Sequence, residues 1–238
     1  MNKNILLGIG ICGVLACLSA PARAQFTSYD NPTSTWLTST AGVNIVGNPS
    51  DNVTTLGGGA FSIDFSKAGT IGQIGTSSQT MWSSSPYSAL NQGDSTLYFS
   101  SATDFTFSKA ISSFGFELQT RDLIRIRDIS VEFYNGSTVV GTITRTIDNT
   151  GVFSAGWNPN NGGARLFAGS FDAGITSVKV QTTSRNGIVA GGFRYAALGG
   201  NNGITSNAVP EPGEWAAMAM MVTGLGGLVV RARRRRRA

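Results

Sequence analysis

Residues 129–144 read ISVEFYNGSTVVGTIT, and the dipeptide Asn135-Gly136 lies between its two apolar runs. Asn-Gly readily takes up the positive φ angles of a tight hairpin turn. Val131 and Phe133 alternate with polar neighbours, as they must if one face of a strand is buried and the other wet. The stretch therefore predicts an antiparallel hairpin.

The same pattern extends outward from it. AFSIDFS (60–66), STLYFSS (95–101), FTFS (105–108), ISSFGFELQT (111–120), ARLFAGSF (164–171) and ITSVKVQTT (175–183) are short apolar runs set among Ser, Thr, Gly and Asn. Outside the two ends of the chain no segment keeps a 3.6-residue apolar period for three turns. The body, residues 25–198, reads as all-β, and several short strands with regular turn signals favour a two-sheet β-sandwich, jelly-roll-like in kind. In RDLIRIRDI (121–129) the apolar phase of Ile124 and Ile126 is opposite to that of Val131 and Phe133; a bulge or turn near Asp128 would reconcile them. WNPNNGGAR (157–165) and the polar stretch 47–59 read as loops. Residues 199–208, GGNNGITSNA, have the composition of a flexible linker.

The formal net charge is +5, but its distribution excludes a nucleic-acid footprint. Between Gln25 and Ala208 there are 10 Lys/Arg against 11 Asp/Glu, a net of −1. The basic excess sits at Lys3 and Arg23 and in the arginines of the tail, whereas phosphate binding needs charge on the folded surface.

Residues 1–24 have a short polar head with one Lys, an apolar run from Ile5 to Leu18, and small side chains at Ala22 and Ala24. That is the layout of a signal peptide cut by signal peptidase between Ala24 and Gln25. An alternative start is an acylated Cys17, because Val14-Leu15-Ala16-Cys17 loosely resembles a lipobox. Both cysteines, Cys12 and Cys17, lie in this leader, so a chain cut after Ala24 carries no thiol chemistry.

The other end reads VPEPGEWAAMAMMVTGLGGLVVRARRRRRA, residues 209–238. Pro210 and Pro212 flank Glu211 and hold the backbone extended. Trp215 favours a membrane interface. From Ala216 to Val230 there are 15 residues without a charge, which as a helix rise about 23 Å, short of a ~30 Å hydrocarbon core. Arg231 and the block Arg233, Arg234, Arg235, Arg236 and Arg237 would stay cytoplasmic, placing the body across the inner membrane. This suits a temporary hold better than a permanent anchor.

The three elements in order resemble the PEP-CTERM sorting signal of Gram-negative bacteria. The resemblance implies that Pro210, Glu211 and Pro212 are recognised by exosortase, a membrane protease that would release or transfer the protein to the cell surface or exterior. It also implies an association with exopolysaccharide or biofilm. The runs SFGFELQ, ISVEFYNGSTVVGT, FAGSFDAGITSVKVQ and GGFRYAAL resemble the β-rich domains often attached to that signal. Many such domains carry an acidic pair near the last strand; Gly191-Gly192-Phe193-Arg194-Tyr195 has none.

Catalytic motifs are absent. The chain has no histidine, which excludes Ser-His-Asp and Cys-His catalysis and His-ligated zinc. The acids of the body, among them Asp64, Asp94, Asp104, Glu117, Asp122 and Glu132, are scattered and read as solvated surface. No cofactor is expected; Asp51 with Asn52 and Asp148 with Asn149 are oxygen-rich pairs that could hold calcium, and Asx turns explain them equally well. A glycan platform could form from Trp157 with Asn158, Asn160 and Asn161, or from Trp82 near Tyr87, although large aromatics commonly belong to a core. The expected function is that of a secreted, non-catalytic surface or matrix protein. The alternative is a carbohydrate-binding module.

Overall fold

The hairpin at 129–144 is present within a body of strands. The computed structural model describes residues 24–75, 88–121, 125–150 and 163–199. In chain order these form β1 (Phe26–Tyr29), α1 (Ser34–Ser39), β2 (Ala41–Gly42), β3 (Asn52–Gly58), β4 (Phe61–Gln73), β5 (Ser95–Phe99), β6 (Asp104–Thr120), β7 (Ile126–Asn135), β8 (Thr138–Asp148), β9 (Arg165–Thr182) and β10 (Ile188–Ala197). The all-β expectation holds for this body. Two details differ from it: the short α1 was not legible as a helix, and β3 occupies most of the polar stretch 47–59.

The hairpin turn falls one residue later than Asn135-Gly136 suggests. Asn135 still pairs with Thr138, and Gly136 (φ 59°) and Ser137 bridge the strands. Glycine at positive φ in the first of two loop positions is what a II′ connection requires. Asn135 instead donates its side-chain Nδ2 to the carbonyl of Ala173 at 3.0 Å. No bulge forms at Asp128. The register runs unbroken from Ile126 to Phe133 and shifts only between Phe133 and Tyr134. The phase conflict is resolved by exposure, since Ile126 is 53% exposed while Ile129, Val131 and Phe133 are buried.

Hydrogen bonding joins the ten strands into one antiparallel sheet. Runs that read as separate strands are continuous: FTFS and ISSFGFELQT are both β6, and ARLFAGSF and ITSVKVQTT are both β9. Breaks in register between Thr106 and Ser113 let β6 bend, as bulges do. The long strands therefore change neighbours along their length. β4 pairs with β3 in both its parts, while its first part also pairs with β6 and its second with β5. The first part of β6 pairs with β4, and its second part with β10. Because β10 also pairs with β5, strands β4, β5, β10 and β6 form a closed circuit of ladders.

Phenylalanines fill that circuit. Phe105 lies edge-on to Phe65, Phe116, Phe193 and Phe114, with ring centroids 5.2, 5.0, 5.9 and 6.3 Å away. Each of these aromatic pairs adds about 0.5–1.5 kcal/mol beyond area burial. The opposite face of β6 is covered as well. Ser113, Glu117 and Gln119 are buried there beside Phe114, Phe116 and Leu118, so the second half of the strand is enclosed on both sides. Part of the cover is Trp36 of α1. Thr33 caps that helix by accepting the Trp36 amide at 3.2 Å, and Trp36 packs with Leu166 and Ala168.

Among the described residues no helix is long and apolar enough to cross a membrane. The hydrophobic tail and its motif, residues 209–238, the linker at 199–208 beyond Gly199, and Ala22 of the leader lie outside the described residues. Ala24 and Gln25 are exposed and immediately precede β1.

Phe105→Ala is expected to lower unfolding free energy by about 3–5 kcal/mol, the range for emptying a large buried aromatic site. Ile126→Ser on the wet face should change it by about 0.5 kcal/mol or less. Chemical denaturation followed by circular dichroism checks both; equal effects would rule out the closed circuit as the centre of stability.

Candidate functional site

Arg194 on β10 organises the surface next to this core. Its Nε donates to Thr40 Oγ1 at 2.8 Å, and its Nη2 donates to the carbonyls of Leu37 and Thr40 at 2.5 and 2.6 Å. Three acceptors around one planar guanidinium fix the chain leaving α1. The following residues are laid along β10, with Gly42 opposite Arg194 and the Val43 amide donating to the Phe193 carbonyl at 2.8 Å. Residues 42–46 thus form a strap with a hollow on either side.

The first hollow, about 370 Å³, lies between the strap and β3. Its wall includes Tyr195 and Phe61, stacked at 3.9 Å with an interplanar angle of 17°. Asn44 and Thr55 supply polar groups, and Thr55 is oriented by donating to Asp64 Oδ1 at 2.8 Å. An aromatic wall facing amide and hydroxyl groups matches the two sides of a sugar ring, one apolar and one lined with hydroxyls.

The second hollow, about 340 Å³, is bordered by Leu90, Asp94, Gly192 and Arg194. Beside it Glu117 is only 3% exposed, which overturns its reading as a solvated acid. Its partner across the ladder is Gly191, and a Cβ there would stand 2.8 Å from Leu90 Cδ1. The bare position is what lets residues 88–90 close over the carboxylate. Glu117 accepts the Ala89 amide at 2.7 Å and the Ser88 hydroxyl. Burial pushes its carboxyl up from 4.5 to about 7, while the Ala89, Ser88 and Leu90 hydrogen bonds pull it back and the Asp94 charge adds to the rise.

The pairs considered for calcium are engaged in turns. Asp51 accepts the Asn48 amide at 2.8 Å, and Asp148 accepts the Thr150 amide at 2.9 Å. Asn149 is buried, accepting from the Gly163 amide at 2.9 Å. Among the described residues no three Asp, Glu or Cys side chains gather as a metal site would need. Trp157, Asn158, Asn160 and Asn161, and also Trp82 and Tyr87, lie outside the described residues. The aromatic wall that the structure does show, Tyr195 with Phe61, left no trace in sequence, because its partners are 134 positions apart and neither has a polar cluster beside it.

No family model matches the chain, and no curated protein matches it. Among solved structures, that of TmCBM61 in complex with beta-1,4-galactotriose aligns over 58% of this chain and 88% of that one, at 11% identity and a TM-score of 0.25. A likeness so distant assigns neither fold nor ligand.

Glu117 generates a pH prediction. A carboxyl whose folded-state pKa is raised binds its proton more tightly when folded, so its contribution is complete below about 4.5 and is lost as pH rises toward about 7. Stability should fall by up to roughly 3 kcal/mol across that window and then level off. Glu117→Gln should flatten the fall. Urea midpoints measured from pH 4 to pH 8 decide it; parallel profiles for the two proteins would show that Glu117 is not the titrating group.

Proposed function

We propose that this chain is an exported, non-catalytic cell-surface or extracellular-matrix protein, cut by signal peptidase at its leader and sorted through its tail by an exosortase-type membrane protease. One observation carries the reading: the ordered succession of Pro210-Glu211-Pro212, the uncharged run Ala216 to Val230, and the arginines from Arg231 to Arg237. The inner membrane holds the protein only transiently. The quiet chemistry of the body supports a structural or adhesive role within an exopolysaccharide matrix: there is no histidine, and both cysteines fall in the leader. Its architecture is read as a jelly-roll-like sandwich, because β4, β6 and β9 each change partners midway, as strands do when they bend from one layer into a facing one.

Mass spectrometry of the protein from culture medium and from membranes, in cells with and without exosortase, tests this. A mature chain that starts at Gln25 and ends near Pro210-Glu211-Pro212 only when exosortase is present is the expected result. Retention of the arginine block in both strains would make the tail an ordinary anchor.

A second reading is a carbohydrate-binding module, favoured by the stacked Tyr195 and Phe61 beside Asn44 and Thr55. Tyr195→Ala should then abolish retention on a polysaccharide column, whereas unchanged retention would exclude that hollow as the binding surface.

A further inference from the structure

We propose a second saccharide site, specific for an acidic sugar, in the hollow formed by Tyr98, Ser100, Arg121, Arg185 and Asn186. This hollow, about 370 Å³, shares no lining residue with the two beside the strap. The proposal deepens the carbohydrate-binding reading and depends on it for the class of polymer, but its chemistry is separate.

The segments that carry the two cations are held in place. The guanidinium of Arg121 lies over the Tyr98 ring, 4.4 Å from its centroid, and its backbone amide donates to the Gly187 carbonyl at 3.2 Å. Tyr98 Oη donates to the Asn186 carbonyl at 3.3 Å. The turn carrying Arg185 is closed on itself: the Ser184 hydroxyl donates to the Gly187 carbonyl at 2.9 Å, and the Ser184 amide to Thr182 Oγ1 at 3.0 Å. Both arginines are exposed, and among the described residues neither makes an ion pair. Two other arginines of the body do have partners, Arg145 on Asp30 at 2.8 Å and Arg194 on the end of α1.

Two guanidiniums lining one hollow supply N–H donors of the kind that meet a two-oxygen anion. The Ser100 hydroxyl and the Asn186 amide add neutral groups of the kind that meet sugar hydroxyls. The body as a whole has a net charge of −1, so this hollow with two cations is not part of a generally basic molecule. A phosphate polymer or an anionic membrane gains affinity from many neutralised charges along a basic face, and this hollow is lined by two. A uronic acid residue, one carboxylate flanked by hydroxyls, is the better match.

The experiment is calorimetric titration of the purified full chain, in detergent, with oligogalacturonate, with its methyl ester, and with duplex DNA. The acidic oligomer should bind at least about tenfold more tightly than the ester, and Arg185→Glu should weaken it at least about tenfold, because the loss of charge-assisted hydrogen bonds acts on one and not the other. The melting temperature of Arg185→Glu should be unchanged, since the side chain is exposed. Arg121→Gln, which also loses its place over Tyr98, should weaken binding likewise, with far-UV circular dichroism reporting its fold. Equal binding of acid and ester, or binding indifferent to Arg185→Glu, overturns the site. Tighter binding to DNA overturns the ligand class. Tyr195→Ala should leave uronate binding intact; if it abolishes binding, the hollow by the strap is the glycan site and this one is not. Because titration is indifferent to where the cell sends the protein, its failure is distinct from failure of the sorting proposal.

Discussion

Phe105 can be edge-on to Phe65, Phe114, Phe116 and Phe193 at once only if β4, β10 and the two halves of β6 surround it. Edge-to-face packing ties each ring to the direction of its neighbours, so this cluster demands curvature as well as burial. The bend in β6 between Thr106 and Ser113 supplies the curvature. Everything outside the cluster follows from that bend. It carries the second half of β6 into a position where β10 and β9 flank it, and there its far face must be covered by α1 and by residues 88–90.

That covering creates the chemistry. An open sheet would leave Glu117 in water, with nothing to distinguish it. Enclosed beneath Ala89 and Leu90 and opposite the bare Gly191, its carboxylate trades water for the donors of Ser88, Ala89 and Leu90 and a nearby Asp94 charge, and burial outweighs the donors. The strap beside it is placed by a different kind of force. Arg194 spends its donors on the carbonyls at the end of α1, which are groups left without partners by the helix itself.

Much of the architecture was legible in sequence because it is local. Alternation at Phe61, Ile63 and Phe65, or at Val131 and Phe133, reports a half-buried strand from neighbouring residues alone. The lengths of β6 and β9 were not legible, since Lys109-Ala110 and Asp172-Ala173-Gly174 interrupt the apolar pattern where the strands bend and a break in pattern resembles a turn. α1 is too short to display a helical period. The surroundings of Glu117 were hidden for a third reason: Ser113, Gly115, Glu117 and Gln119 have the composition of a wet face, and only distant segments, Trp36 and Ser88 to Leu90, decide that it is dry. The proposed leader and tail signals are the opposite case, read from linear order alone.

The stitching of the first segment to the last strands sets a timetable. β1 finds its ladder partner in β9, through Phe26 opposite Phe171, and the strap is fixed by β10, through Arg194 and the Phe193 carbonyl. Such long-range closures make folding slow and leave apolar edges open meanwhile. In a chain that emerges from its N-terminus, β1 and Trp36 lack these native partners until residues 165–171 have emerged.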